Sequence, residues 1–425
     1  MADSEIGSPQ AFLDLLPPAS TIDDAGYLVI GGCRLNDLAD AHGTPLYVVD
    51  EGFLRAQARA FQQALGDRWA NSRVVFASKA FPCTAAYRLM AEEGLGVDVA
   101  GAGELAMALK GGASPSLIVL HGNAKSEGEI SMALEAGVGT VVIDNFDDID
   151  RLEHMVHSEQ SVLLRVIPGV RPDTHEAVST GQSGSKFGLE TADARTAIAR
   201  LRGSDRLRLD GLHMHIGSQI LSTEPFTRAI EALSDLGEFD VYDLGGGLGV
   251  RYTYGDKPPS VEEWVDALVG AARKHLPSSA KLMIEPGRSM VARSGVTLYR
   301  VLSVKRGKPT FVAVDGGMGD NLEVSLYGQR FEASVVNRVG GGTPVELVGR
   351  HCESGDRLIS GVPLSSPTLG DVVVVAVTGA YCFTMANNYN GALRPAVVFC
   401  RDGIAQVRVR RETLADFVSR DVLTD

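Results

Sequence analysis

At 425 residues, with 44% hydrophobic and 22% charged side chains, the chain is long enough for two domains and has an ordinary globular composition. A formal charge of −13 argues against nucleic acid or an anionic membrane surface as a partner, because both reward basic patches. Five cysteines (Cys33, Cys83, Cys352, Cys382, Cys400), odd in number and without C-x-x-C spacing, argue against a disulfide framework or structural zinc and point to a reducing cytoplasm.

No apolar stretch approaches the ~20 residues a bilayer requires. The acidic opening Met1–Gln10 lacks the basic and apolar regions of a secretory signal. Residues 1–25 carry Pro17-Pro18 and no periodicity, and read as a loosely held arm. Asn36–His42 reads as a short helix ending at Gly43, Pro45–Val49 as a strand, and Gly52–Leu65 as a helix. Eight short apolar runs follow, each leading into a helix-like stretch: Val74–Ala77, Val97–Ala100, Leu117–Leu120, Val141–Ile143, Val162–Ile167, Leu212–Ile216, Val241–Leu244 and Leu282–Ile284. Parallel strands buried on both faces read this way, and eight βα units close a barrel. The expected fold is therefore α/β, a TIM-like (β/α)8 barrel over 45–292. Beyond it, Val296–Val304, Thr310–Val314, Val345–Val348, Val372–Val377, Ala396–Phe399 and Ala405–Val409 are strand-rich with almost no helical periodicity. That change signals a C-terminal all-β domain (sandwich or barrel) made of 26–44 and 293–425. The strand around Tyr27–Ile30 fits either domain.

Almost every barrel run ends on or beside a polar residue: Lys79, Asp98, His121 with Asn123, Asp144 with Asn145, Arg165, His215, Gly245-Gly246-Gly247 and Glu285. Chemistry in such barrels sits at the carboxyl ends of the strands, with phosphate held after the seventh and eighth. A lysine in a closed pocket can condense with an aldehyde, though a lone lysine is usually a surface group. The triple glycine lets backbone N–H groups close on an anion, or is simply a turn. In Glu285-Pro286-Gly287-Arg288 the carboxylate can charge a ring nitrogen and the arginine can meet a phosphate or carboxylate, or the two form a structural ion pair. His213-Met214-His215 lacks a nearby third zinc ligand, so His215 suits a ring stacked on a planar cofactor, with the Ser218 hydroxyl open to a phosphate; a structural histidine is the plainer reading. Gly101-x-Gly103-x-x-Ala106 mimics a dinucleotide fingerprint, but His121-Gly122-Asn123 stands where its ribose-binding acid belongs. In the β-domain, Cys352 beside Glu353 pairs a proton donor with a carboxylate, and Thr378–Tyr381 brings a tyrosine to a strand end.

Taken in order, Phe76–Ala80, His213–Gln219, Gly245–Gly249, Glu285–Arg288, Val314–Met318, Cys352–Asp356 and Thr378–Tyr381 resemble the fold-type III pyridoxal-phosphate decarboxylases, most closely their diaminopimelate branch, over about residues 25 to 415. Thr174-His175-Glu176 through Ser185-Lys186-Phe187-Gly188 is also typical of that branch. The resemblance implies a pyridoxal 5'-phosphate enzyme of amino-acid biosynthesis, with meso-2,6-diaminopimelate as the leading substrate and L-lysine and CO2 as products. It implies that Lys79 carries the cofactor, Glu285 partners the pyridine nitrogen, Asp98 lies near Lys79 and His215 stacks on the ring. Phosphate falls to Ser218, Gly245, Gly246, Gly247, Gly287, Arg288 and Tyr381. Cys352 becomes the proton donor and Glu353 the distal-amine contact, both supplied across a homodimer interface, while Arg288, Tyr327 and Tyr381 contact substrate. No metal is implied. One position departs: Glu323 stands where that branch carries an arginine for the distal carboxylate. Loss of a charge-assisted bond there costs on the order of 1.5–3 kcal/mol. A related diamino or basic amino acid is therefore the alternative substrate. A racemase of the same architecture would be expected to carry arginine in place of Glu285, and a non-catalytic regulator would not need Lys79, Glu285, Cys352 and Tyr381 together.

Overall fold

The computed structural model describes residues 7–171, 181–182 and 184–423, so the Thr174-His175-Glu176 motif lies outside the described residues. Two compact units emerge: Arg55–Val250 with Lys257–Met290, and Met1–Leu54 with Arg251–Asp256 and Val291–Asp425.

The first unit is a closed barrel of eight parallel strands, one from each expected run: Ser72–Phe76, Gly96–Val99, Ile118–Leu120, Thr140–Ile143, Gln160–Arg165, Leu207–His213, Val241–Asp243 and Lys281–Ile284. Val75, Val119, Val142, Leu163 and Met283, with Val241 packed against them, form one apolar cluster. Side chains two residues apart share a face of a strand. Each apolar residue of this layer is therefore followed, two positions on, by the next inward-facing group. Those groups are Ala77, His121, Asp144, Arg165, Asp243 and Glu285, and the same step leads from Gly96 to Asp98 and from Gly211 to His213. Gly211 is required by packing, because a Cβ there would lie 1.7 Å from the Val241 carbonyl oxygen. Outside the strands, Trp264 is fully buried and meets the ring edges of Phe61 (6.2 Å) and Phe226 (5.6 Å). Helices Glu127–Ala136 and Val261–His275 both start on capping boxes, Ser126 with Glu129 and Ser260 with Glu263.

The second unit holds a nine-stranded sheet whose main path runs Arg357–Leu364, Thr343–Val348, Phe311–Val314, Gly295–Lys305, Leu46–Asp50, Ala396–Arg401, Ile404–Val409. Two strands branch from it: Val372–Val375 pairs with both Gly295–Lys305 and Ala333–Val335. Three departures from expectation stand out. The strand at Leu46–Asp50, assigned to the barrel by its order in the chain, is instead central here, antiparallel to Gly295–Lys305 and parallel to Ala396–Arg401. Its five residues are all buried, and a run buried on both faces carries no mark of which sheet it joins. From Gly7 on, the segment expected to be a loose arm is packed. Helix Pro9–Leu13 and the turn after it bury Phe12, Leu15 and Leu16, and the Arg293 guanidinium donates to the carbonyls of Asp14 (2.9 Å) and Leu16 (2.8 Å). Burying each of these side chains contributes roughly 1.5–3 kcal/mol, enough to overcome the absence of periodicity. Finally, helix Leu322–Tyr327 interrupts the stretch expected to be strands alone.

Candidate active site

Glu285 is the electrostatic centre of the barrel's carboxyl end. Its Oε1 lies 2.7 Å from His121 Nε2 and its Oε2 3.1 Å from His213 Nε2. Burial alone would raise this carboxyl, but the two imidazoles outweigh burial and hold it well below the usual carboxylate range. Burial lowers His213 to about 4, so its ring is neutral at neutral pH and its Nε2 carries the proton donated to Glu285. The neighbouring acids move the other way. Burial and the Glu285 charge push Asp98 up to about 7 and Asp243 well above its ordinary value. Three carboxyls share one site, and Glu285 is the one held ionised. His121, His213 and Glu285 bring ligand-type atoms within 4.8 Å of one another, a set that a metal could use. Both imidazole Nε2 atoms already engage the carboxylate, however, and a hydrogen-bonded acid accounts for the arrangement.

Around this centre the first strand ends in a tight turn, Ser78–Ala80, that presents Lys79 on the exposed side. The Ser78 N–H donates to Asp98 Oδ1 at 2.6 Å, and the Lys79 charge acts on both Asp98 and His215. The turn is also tied to the eighth strand. Ala77 N–H donates to Pro286 O (3.2 Å), and a Cβ on Gly287 would lie 2.9 Å from the Ala77 Cβ. His215 is half-buried one step beyond His213, and its Nδ1 accepts the Gly246 N–H at 3.4 Å. Burial, with the Lys79 and Arg165 charges, holds His215 well below the usual histidine value, so it is a neutral ring.

The triple glycine is required by space. Gly245 adopts φ +66°, and a Cβ on Gly246 would lie 2.1 Å from the Glu285 carbonyl oxygen. Beside this turn the buried Arg288 donates from Nε to Ser218 Oγ at 3.1 Å. Backbone N–H groups without side chains, a hydroxyl and a guanidinium are the donors a phosphate needs. The ionised Glu285, the glycine cradle with Ser218 and Arg288, and the exposed Lys79 amine fit the ring nitrogen, phosphate and aldehyde of pyridoxal phosphate.

The second unit carries the remaining expected residues. Cys352 and Glu353 are exposed on a turn, Tyr327 is half-buried, and Tyr381 is half-buried at φ +65°. Glu323, at the position where the sequence departs from its resemblance, is 1% exposed. His121, His213 and Asp243 were not assigned roles from sequence. Their signal was the strand-end position itself, but their meeting with Glu285 depends on closure of the barrel.

A family model described as "Pyridoxal-dependent decarboxylase, pyridoxal binding domain" matches residues 51–292. The diaminopimelate decarboxylase of Actinosynnema pretiosum subsp. auranticum is 45% identical over 419 residues, 95% of each chain. That of Bacillus subtilis is 42% identical and covers 93% of this chain and 95% of its own. Among solved structures, diaminopimelate decarboxylase from M. jannaschii in co-complex with L-lysine superposes with a TM-score of 0.89 at 29% identity, covering 96% of this chain and 98% of that one. The Helicobacter pylori enzyme complexed with L-lysine gives 0.85 at 28% identity, covering 91% and 98%. With its barrel, its glycine cradle and its histidine-held glutamate, the chain belongs to the pyridoxal-dependent decarboxylase family.

Proposed function

We propose that this enzyme removes one carboxylate of meso-2,6-diaminopimelate, at the end that gives L-lysine and CO2. The observation that carries this reading is near-full-length identity of 40–45% to diaminopimelate decarboxylases, joined to the ionised Glu285 at the barrel mouth. Bound pyridoxal phosphate supplies an electron sink for the pair left on Cα when the C–C bond breaks. Lys79 would supply the amine that carries the cofactor. Glu285 keeps a proton on the ring nitrogen, the task for which a carboxylate held ionised is suited. His215 would cover the ring face, and Asp98 acts electrostatically with Lys79. Ser218, the Gly245–Gly247 backbone, Gly287, Arg288 and Tyr381 would hold the phosphate. Cys352 gives its thiol proton to Cα and takes one back from solvent. Glu353, Tyr327, Tyr381 and Arg288 receive the distal end of the substrate. Borohydride reduction of the holoenzyme followed by peptide mapping is expected to place the cofactor adduct on Lys79; an adduct on any other lysine overturns the assignment.

A second copy of the chain completes each site by presenting Cys352 and Glu353 to the barrel, in keeping with their exposure in the single chain. Glu323 favours a second reading. A buried carboxylate in place of an arginine lowers affinity for a distal carboxylate and suits a more cationic far end, as in lysine, ornithine or arginine. Carbon dioxide release from those three and from meso-diaminopimelate, repeated with Glu323→Arg, separates the two. If lysine or ornithine turns over faster and Glu323→Arg reverses the order, the diaminopimelate reading fails.

A further inference from the structure

The second unit contains a buried carboxylate that none of the steps above uses. Asp356 is 4% exposed and accepts from Met318 N–H (2.7 Å), His351 N–H (2.8 Å) and His351 Nδ1 (2.9 Å). The chain closes on it without side chains between: a Cβ on Gly317 would lie 2.4 Å, and one on Gly349 2.2 Å, from its oxygens. These bonds join two turns. One, running through Gly317 and Met318, leads into the helix Leu322–Tyr327 that carries Glu323 and Tyr327. The other carries Cys352 and Glu353. Arg350 N–H to Gly316 O (3.0 Å) and Ser325 Oγ to Gly355 O (3.4 Å) bind the same two turns together. A third turn straps onto them: the Asn390 side chain accepts the Cys352 N–H at 2.7 Å, Asn387 N–H donates to Gly319 O at 2.8 Å, and the Tyr389 ring stacks on His351 at 5.7 Å and 8°.

An exposed thiol on a turn has no packing to fix it, so its position depends on its backbone anchors. Two of these flank Cys352: Asn390 on its own N–H and Asp356 on the N–H of the residue before it. We propose that Asp356 and Asn390 are positioning residues that set where the Cys352 thiol and the Glu353 carboxylate stand relative to Tyr327 and Glu323. Proton return and recognition of the far end of the substrate then arrive as one rigid unit. This rests on the reading of Cys352 as the proton donor. A misplacement of about 1 Å in such a group costs about a hundredfold in rate.

The test compares Cys352→Ala, Asp356→Asn and Asn390→Gly in the cofactor-loaded enzyme. Asn390 sits at φ +52°, which glycine adopts freely, so Asn390→Gly removes the side-chain acceptor with little backbone strain and serves if Asp356→Asn fails to fold. Expected for both positioning variants are a fall in kcat of about ten- to a hundredfold, a larger solvent deuterium isotope effect on kcat, and an altered rate of Cys352 alkylation by iodoacetamide. Cofactor affinity and the borohydride adduct on Lys79 should stay at wild-type levels. If Cys352→Ala keeps full turnover, the proton-donor reading fails. If Cys352→Ala loses turnover while the folded positioning variants keep wild-type kcat and isotope effect, the positioning inference alone is overturned. Parallel loss of cofactor affinity and kcat would also overturn it, since that is the mark of general disruption.

Discussion

A buried carboxyl behaves according to what surrounds it, and this chain holds contrasting cases. Glu285 meets two imidazoles and stays ionised, whereas burial raises Asp320 despite a hydrogen bond from a phenol. Asp320 is 5% exposed, accepts from the Tyr299 hydroxyl at 2.5 Å and from Gly317 N–H at 3.1 Å, and is pushed by burial up to about 7. A carboxyl whose folded value exceeds its unfolded value contributes stability below the unfolded value and loses it as pH climbs through the folded one. For Asp320 that window runs from 3.8 to about 7. The unfolding free energy of the wild type, compared with that of Asp320→Asn, should therefore fall across this window and level off above it, a change of a few kcal/mol at most. A difference independent of pH would contradict the assignment. At this scale the sequence was legible where a residue's own position carries meaning, as with Lys79 and Glu285 at strand ends. The histidines that tune Glu285 were visible as residues but not as partners, because His121 and His213 come from strands that are not adjacent in the barrel.

The loop after the third barrel strand carries His121, and a buried ion pair holds it. Lys125 Nζ donates to Asp148 Oδ2 (2.7 Å) and to the Gly122 carbonyl (2.6 Å), with both charged side chains almost fully buried. Breaking a buried pair by removing one partner costs about 3–5 kcal/mol, because the other charge is left uncompensated. Lys125→Ala should lower the unfolding midpoint accordingly, and Lys125→Ala with Asp148→Ala should recover part of the loss. A double variant no better than the single one would show that the pair does not hold the loop. The βα elements were legible because their interior positions repeat with period two, and the polar ring falls two residues beyond the apolar layer. Leu46–Asp50 was misplaced for a related reason: five buried residues look alike in either unit. Strand Arg357–Leu364 escaped notice because Gly361 and Pro363 interrupt it and half-exposed positions alternate irregularly.

At the scale of the whole molecule, the proposed proton donor and the proposed cofactor-carrying lysine belong to different units of the chain, Cys352 in one and Lys79 in the other. If each active site draws Cys352 from a partner, mixing inactive Lys79→Ala and Cys352→Ala subunits should restore about a quarter of wild-type activity, since half the dimers then contain one intact site. No recovery after confirmed exchange would contradict a shared site.

The most direct measurement is product stoichiometry on meso-2,6-diaminopimelate with added pyridoxal phosphate, following trapped carbon dioxide and L-lysine together, for the wild type and Glu285→Ala. Equal amounts of both products from the wild type, with a large loss in Glu285→Ala, are expected. Absence of carbon dioxide from the wild type, or release undiminished without the Glu285 carboxylate, would contradict a decarboxylase that works through this histidine-held acid.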